Sequence, residues 1–516
     1  MHPSEFARAT PDKAAIIMAG SGETVTFAQL EARSNQGAHL LRGAGLQPGA
    51  VVALMLENDA RYLEITCAAH RAGLYFVCLS TRLAPAEIAY ILQDSGAQML
   101  IASGTLAPLL HAVADAAPPL RYTLGPAVPG WQAWEEATAA LPTTPIADER
   151  AGIDMLYSSG TTGRPKGIKP PLPADPAITT PSPLGTVCAR LGFGADTIYL
   201  NPAPLYHAAP LRWCREVLAL GGTVVIMEKF DPEAALALIE RHRVTHSQWV
   251  PTHFVRMLKL PEEARARHDC TSLRLAIHAA APCPVPVKQA MIDWWGPILM
   301  EYYSGTEAIG MTLITAPEWL AHPGSVGRAM IGTLYICDED DNPLPPRQEG
   351  LVCFADGPTF AYHNDPEKTA AAHNRHGWAT FGDVGWLDEE GYLTLTDRKS
   401  FMIISGGVNI YPQEIENALV VHPRIADAAV VGAPDAEMGE CVVAVIQPMD
   451  MAEATPAFAQ EVIDWLRQQL SGVKIPRRVE FMAQLPRHPT GKLYKRLLHD
   501  RYRQPGGAPE TLLSLR

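Results

Sequence analysis

The chain is poor in positive charge, has no apolar run long enough to cross a bilayer and no closely spaced cysteines. Against 55 Asp and Glu it sets only 42 Lys and Arg, a formal charge of −13. A sequence-independent nucleic-acid surface needs clustered cations to neutralise phosphates, so nucleic acid is excluded as a broad partner and only a local basic pocket remains open. No stretch approaches the roughly 20 uninterrupted apolar residues of a spanning helix, so no integral membrane segment is expected. The nine cysteines, scattered from Cys67 to Cys441, form no C-x-x-C pair of metal-ligand spacing and read as reduced, mostly structural thiols. The first ten residues carry Pro3 and Glu5 and lack the apolar core of a secretory signal, which points to the cytoplasm.

What is present is enough apolar material for a folded globule, 47% of 516 residues, over a length too great for one ordinary core. Apolar residues at helical spacing over 27–45 precede the buried-strand run Val51–Leu56, and the same helix-then-strand pattern returns at 87–102 and at 213–227. Such alternation predicts an α/β fold with mostly parallel, helix-covered sheets. Six prolines between Lys169 and Pro183 predict a surface crossing. From about 332 to 397 the character changes to short strands and tight turns, a small β-rich subdomain. Beyond it, helical 414–421, strand-like 425–431 and 441–446, and helical 458–470 predict a compact α+β domain. The expected division is a large N-terminal domain over 1–397 and a C-terminal domain over 398–516.

The segment Tyr157-Ser-Ser-Gly-Thr-Thr-Gly-Arg-Pro-Lys-Gly167 is the first with evident chemistry. Its glycines, Gly160 and Gly163 among them, permit close backbone approach, and the hydroxyls of Ser158, Ser159, Thr161 and Thr162 suit polyphosphate oxygens. Lys166 adds a cation. Pro165 before that lysine and Gly167 after it distinguish the segment from the P-loop of NTPases.

This segment resembles the signature of the adenylate-forming superfamily, which includes acyl-CoA synthetases, peptide-synthetase adenylation domains and beetle luciferases. Further matches follow in the family's order over nearly the whole chain. Leu205-Tyr-His-Ala-Ala209 resembles the aromatic/His segment beside the acyl pocket, with His207 in the corresponding place. Ala279, Ala280, Ala281 and Pro282 resemble the small-residue segment at the adenine and ribose edge. Tyr302-Tyr-Ser-Gly-Thr-Glu307 matches the Y-G-x-T-E motif, with Ser304 where glycine is usual. The resemblance implies that Tyr302 and Tyr303 contact the nucleotide, Tyr303 stacking on adenine, that Thr306 binds phosphate and that Glu307 holds Mg²⁺. Asp383 and Arg398 match the ribose-binding pair, and Lys492, in Leu485-Pro-Arg-His-Pro-Thr-Gly-Lys492, matches the catalytic lysine.

Members of this family activate a carboxylate as its acyl-adenylate, releasing pyrophosphate, and the CoA synthetases then pass the acyl group to the CoA thiol. ATP, Mg²⁺ and CoA are the implied cofactor and co-substrates. In the family the C-terminal domain rotates about a hinge, corresponding here to Ser400, where many relatives have Asp or Lys. It then presents the segment of Ser405, Gly406 and Gly407 to a pantetheine tunnel. A narrow thiol channel has no room for Cβ atoms, a physical reason for paired glycines.

The acyl pocket is expected to draw on His207, Trp249, Ser304 and Gly305, a mixture that suits a largely apolar acid. A fatty acid, a sterol side chain and an aryl acid all fit. Segment 276–303 resembles the fatty-acyl-type CoA synthetases, and fatty acid metabolism is the expected setting. Two other readings stand beside CoA ligation: an acyl-AMP ligase that loads a carrier protein, and a non-catalytic nucleotide-binding protein of the same fold. The chain ends soon after Lys492 with no carrier domain, which favours free CoA. The small-molecule acid, ATP and CoA are the expected partners, and a homodimer is compatible with them.

Overall fold

A computed structural model describes residues 2–158, 165–398, 401–406, 408–435, 438–487, 493, 495–503 and 512–513, with backbone alone at 397–398, 496, 503 and 512–513. Two compact units emerge, one formed by Met1–Gln248, His268–Leu275 and Phe360–Thr369, the other by Trp249–Arg267, Ala276–Thr359 and Ala370–Arg516.

In the first unit the strand Val51–Met55 is buried at every position, as its unbroken apolar sequence requires. It pairs in parallel with Tyr75–Cys78 and Ala97–Ser103 in a seven-stranded sheet that is antiparallel only where Ile153–Ser158 meets Lys166–Ile168. The helix expected over 27–45 spans Phe27–Gly43 and buries Phe27, Leu30, Ala38 and Leu41. A capping box starts it. Gln29 N donates to Thr26 Oγ1 at 3.2 Å, and Thr26 N donates to Gln29 Oε1 at 2.9 Å, satisfying two amides that would otherwise lack partners. A second set of parallel strands joins Ile198–Asn201, Thr223–Ile226 and Ala14–Met18. The proline-rich stretch crosses without helix or strand until Pro183, which opens the helix Pro183–Arg190. At the first helical position a missing N–H costs nothing, so this sixth proline starts an element instead of preventing one.

In the second unit a parallel pair is followed by antiparallel additions. His278 lies opposite Glu301 where the strand Leu275–His278 pairs with Leu299–Ser304, and Met311–Thr315, Ser325–Ile331, Leu393–Arg398, Asp383–Leu387, Gly350–Ala355 and Thr333–Cys337 continue the sheet. The β-rich stretch predicted over 332–397 therefore extends strands that begin at 299.

A smaller C-terminal α+β domain is built on a separate six-stranded sheet whose longest members are Ile425–Asp435 and Gly439–Pro448. Alternate residues of these two strands serve two cores. Val430, Val442 and Ile446 pack with Phe458 and Leu466, whereas Val431, Val443 and Val445 pack with Leu485 and Leu498. The pleat sends neighbours to opposite faces, so a run that looks uniformly apolar in sequence feeds both layers. The helix expected over 458–470 spans Pro456–Arg467. The architecture is mixed α/β, and no helix among the described residues is long and apolar enough to cross a membrane.

Candidate active site

The predicted site residues fall in both units. In the first, Ser158 ends one strand and Lys166 begins the next, and the two pair across the segment between them. The hydroxyl of Tyr157 donates to Asp94 Oδ2 at 2.6 Å. Burial, then that hydrogen bond, pushes the phenol well above its ordinary range. His363 N donates to the Gly167 carbonyl at 2.7 Å, Tyr362 pairs with Ile168, and the Lys166 ammonium lies 4.7 Å from the centre of the Tyr362 ring. A segment from 360–369 thus braces the strand Lys166–Ile168 at the end of the motif. An ammonium over an aromatic face is attracted by the ring quadrupole.

In the second unit the motif Tyr302–Glu307 straddles the end of the strand Leu299–Ser304. Tyr303 donates its hydroxyl to Asp383 Oδ2 at 2.7 Å, joining two residues that lie 80 positions apart in sequence. Phe381 meets the Tyr303 ring edge-on, with centroids 5.6 Å apart, and fixes its plane. Tyr302, Thr306 and Glu307 are half-buried, and Thr306 Oγ1 donates to Glu307 Oε2 at 3.3 Å.

Serine at position 304 has a physical account. Its hydroxyl donates to the Gly310 carbonyl at 2.7 Å and closes the turn. The need for glycine falls one residue later. A Cβ on Gly305 would stand 2.4 Å from Phe381 Cε1 and 2.8 Å from Glu307 Oε2.

The Ala279–Pro282 segment leaves the neighbouring strand directly after His278, and Ala280 takes a left-handed φ of 78°. L-residues pay about 1–3 kcal/mol in such a conformation, which persists only where the surroundings enforce it. Next to both motif segments lies a cluster that sequence reasoning missed. Lys288 Nζ donates to Glu301 Oε2 at 2.6 Å, and His278 Nε2 stands 3.7 Å from the same oxygen. The Lys288 and His278 side chains are fully buried, the Lys288 ammonium faces Trp319, and burial raises the Glu301 carboxyl against the opposing pull of Lys288. Glu301 and His278 precede the two motifs by one residue each, and that adjacency was the available signal.

The expected acyl residues are placed differently from one another. His207, in the first unit, is half-buried at the start of the helix Ala208–Ala219, with its ring 4.5 Å from that of Tyr206. Trp249, in the second, is 1% exposed and packs into an aromatic cluster with Phe254 and Trp295. Ser405 is buried, and Gly406 follows it with φ of 57° where a Cβ would meet Met438 Cε at 2.5 Å.

Ser159, Gly160, Thr161, Thr162, Gly163, Ser400, Gly407 and Lys492 lie outside the described residues, as does the Arg398 side chain. The Arg398 backbone pairs with Asp383, so the proposed ribose pair occupies facing positions on neighbouring strands.

The model of the AMP-binding enzyme family matches residues 4–361, and that of the AMP-binding enzyme C-terminal domain matches 414–492. Feruloyl-CoA synthase of an Amycolatopsis species is 35% identical over 96% of each chain. A long-chain-fatty-acid–CoA ligase of Mycobacterium tuberculosis is 31% identical over 96% of this chain and 97% of its own. The solved o-succinylbenzoate CoA synthetase of Bacillus subtilis, in complex with its acyl-adenylate intermediate, superposes with a TM-score of 0.76 at 26% identity, covering 96% of this chain and 97% of that one. Family matches over both regions and relatives aligned nearly end to end place the chain in the AMP-binding enzyme family, among the adenylate-forming acid:CoA ligases.

Proposed function

We propose that the protein joins a hydrophobic carboxylic acid, aryl or fatty-acyl, to CoA in two steps driven by ATP. The observation that carries this reading is the Tyr303–Asp383 hydrogen bond beside the Thr306–Glu307 pair, which supports adenosine and phosphate roles for these residues.

In the first step a carboxylate oxygen attacks the α-phosphorus, the bond to the bridging oxygen breaks and pyrophosphate departs. Tyr303 and Asp383 orient the nucleoside, so attack proceeds within a fixed geometry. Thr306, Lys166 and the 158–167 segment stabilise the charge that moves onto the phosphoryl oxygens, and Lys492 does so at the reacting phosphorus. Glu307 with the adjacent Thr306 hydroxyl suits Mg²⁺, an ion commonly held by one or two carboxylates together with substrate phosphates. When bound there it neutralises phosphate charge. In the second step the CoA sulfur attacks the acyl carbon, the bond to AMP breaks and the thiol proton passes to solvent. Ser405, Gly406 and Gly407 line the thiol approach in this reading, with Ser400 at the hinge.

An aryl or fatty acid is supported by the similarity to a feruloyl-CoA synthase and a long-chain-fatty-acid–CoA ligase. The test is a panel of ferulate, benzoate, hexanoate and palmitate with ATP, Mg²⁺ and CoA, scored for pyrophosphate, AMP and thioester. Thioester from ferulate or palmitate is the expected result. Pyrophosphate without thioester would point to carrier loading, and no turnover with any acid would leave only nucleotide binding.

A further inference from the structure

Glu301 stands where three stretches of chain converge. The strand Leu275–His278 pairs in parallel with Leu299–Ser304, which sets His278 opposite Glu301 in the register. From His278 the chain turns over the left-handed Ala280 and enters the helix Val285–Trp295 at Pro284, with no side-chain hydrogen bond to cap that entry. Within the first turn of the helix Lys288 reaches back and donates to Glu301 Oε2 at 2.6 Å. The 279–287 stretch is thus tied at both ends to one residue, by backbone pairing where it leaves the sheet and by a side chain where it returns. Glu301 is also the residue immediately before Tyr302-Tyr-Ser-Gly-Thr-Glu307.

The tie is buried and directional. The Lys288 side chain is fully buried and that of Glu301 nearly so, and the ammonium lies 5.1 Å from the centre of the Trp319 ring. Burial, and then the Lys288 charge, hold the His278 imidazole well below its ordinary range, so it stays neutral and leaves the carboxylate to Lys288. Neither ring nitrogen of His278 has a hydrogen-bond partner among the described residues. The charge-assisted Lys288–Glu301 bond is therefore the directional element of the cluster. For stability alone an apolar pair of similar volume serves about as well, because desolvating two charges offsets most of their attraction. A charged pair between these two segments points instead to geometry.

We propose that Glu301, through Lys288, is a positioning residue for base recognition: the pair holds the 279–284 turn against Tyr302–Glu307 so that adenine is bound in preference to guanine. This rests on the reading above, in which both segments meet the nucleotide. Adenine carries an exocyclic amino donor where guanine carries an oxo acceptor. Backbone groups of a turn can tell the two apart only while the turn is held within hydrogen-bond distance of the base, since the interaction weakens steeply outside a narrow range of distance and angle.

The test separates geometry from stability. Lys288→Met combined with Glu301→Gln removes both charges at nearly constant volume, so stability is expected to return close to that of the wild type while the directional bond is lost. Calorimetric titration with ATP and with GTP gives the base preference, and acid-dependent ATP–pyrophosphate exchange with ferulate and palmitate gives the KM for ATP. In the double variant the Kd for ATP is expected to rise about fivefold, the scale of one hydrogen bond to the base, while that for GTP stays within about twofold. The KM for ATP should rise in step with kcat within about twofold. A stable double variant with the wild-type preference, or one that loses both nucleotides equally, would overturn the proposal, as would wild-type protein that does not prefer ATP to GTP. If the double variant does not fold, as judged by its thermal transition, Glu301→Asp decides by the same ratio, since it keeps both charges and withdraws the carboxylate by one methylene. Wild-type protein that binds ATP with this preference but shows no acid-dependent exchange would instead overturn the two-step reading, and the binding ratio alone would then decide the positioning role.

Discussion

The two segments that face the nucleotide in this reading are held in place by different means. Around 157–168 the restraint is mostly backbone: strand pairing on one side and the His363–Gly167 hydrogen bond on the other, with Lys166 resting on Tyr362. Around 303–310 the restraint is mostly side chain: Ser304 on Gly310, Tyr303 on Asp383, and Gly305 pressed against Phe381, with the Lys288–Glu301 pair buried behind. Backbone pairing tolerates substitution because every residue brings the same amide. A turn held by particular side chains does not.

The largest effect should come from the buried support. Lys288→Met leaves the Glu301 carboxyl without its cation and is expected to cost about 3–5 kcal/mol of unfolding free energy, read from urea titration, with much of it regained by adding Glu301→Gln. Full stability in the single variant would show that the pair is not what fixes this strand end. Next, Gly305→Ala should lower acid-dependent pyrophosphate exchange by about 100-fold, since displacement of a reacting group by an ångström carries that order of penalty. A variant with unimpaired exchange would mean that Phe381 moves aside freely.

Buried histidines test whether the contrast extends to stability. His70 lies in the first unit and His253 in the second, and burial lowers each to about 3. Unfolded, they titrate near 6.5, so below that pH the unfolded chain binds protons that the folded one refuses. Each then removes up to about 1.4 kcal/mol per pH unit between roughly pH 6.5 and 3. Urea midpoints at pH 7.0 and 5.5 should fall, and His70→Gln or His253→Gln should flatten the dependence. The smallest effects set tyrosine against tyrosine. Tyr303→Phe should raise the KM for ATP by about tenfold through loss of the bond to Asp383, whereas Tyr157→Phe should change it by only about twofold, because strand pairing remains. Equal effects would remove the distinction between the two segments.

Much of the fold was legible from periodicity. The helix starting at Phe27, the buried strand from Val51 and the C-terminal strands near 425 and 441 lie where apolar spacing put them, because burial demands on one face are written locally. The motif positions were legible because their residue order is distinctive. What escaped were Lys288, His278 and Lys259, which carry no motif and read as ordinary residues. Each acquires meaning from a partner distant in sequence or on another strand: Glu301 for the first two, Ile425 and Asp427 for the third.

By itself the sequence determined the fold class and the family resemblance, and with that resemblance the segments proposed to carry the chemistry, since these depend on spacing and residue order along the chain. Only the tertiary structure decided that Ser304 closes a turn while position 305 has no room for a Cβ, that Tyr303 meets Asp383, and that Lys259 grips the C-terminal strand. Those facts depend on which atoms come within about 3 Å of one another, the range of a hydrogen bond, and a linear order of residues does not contain that information.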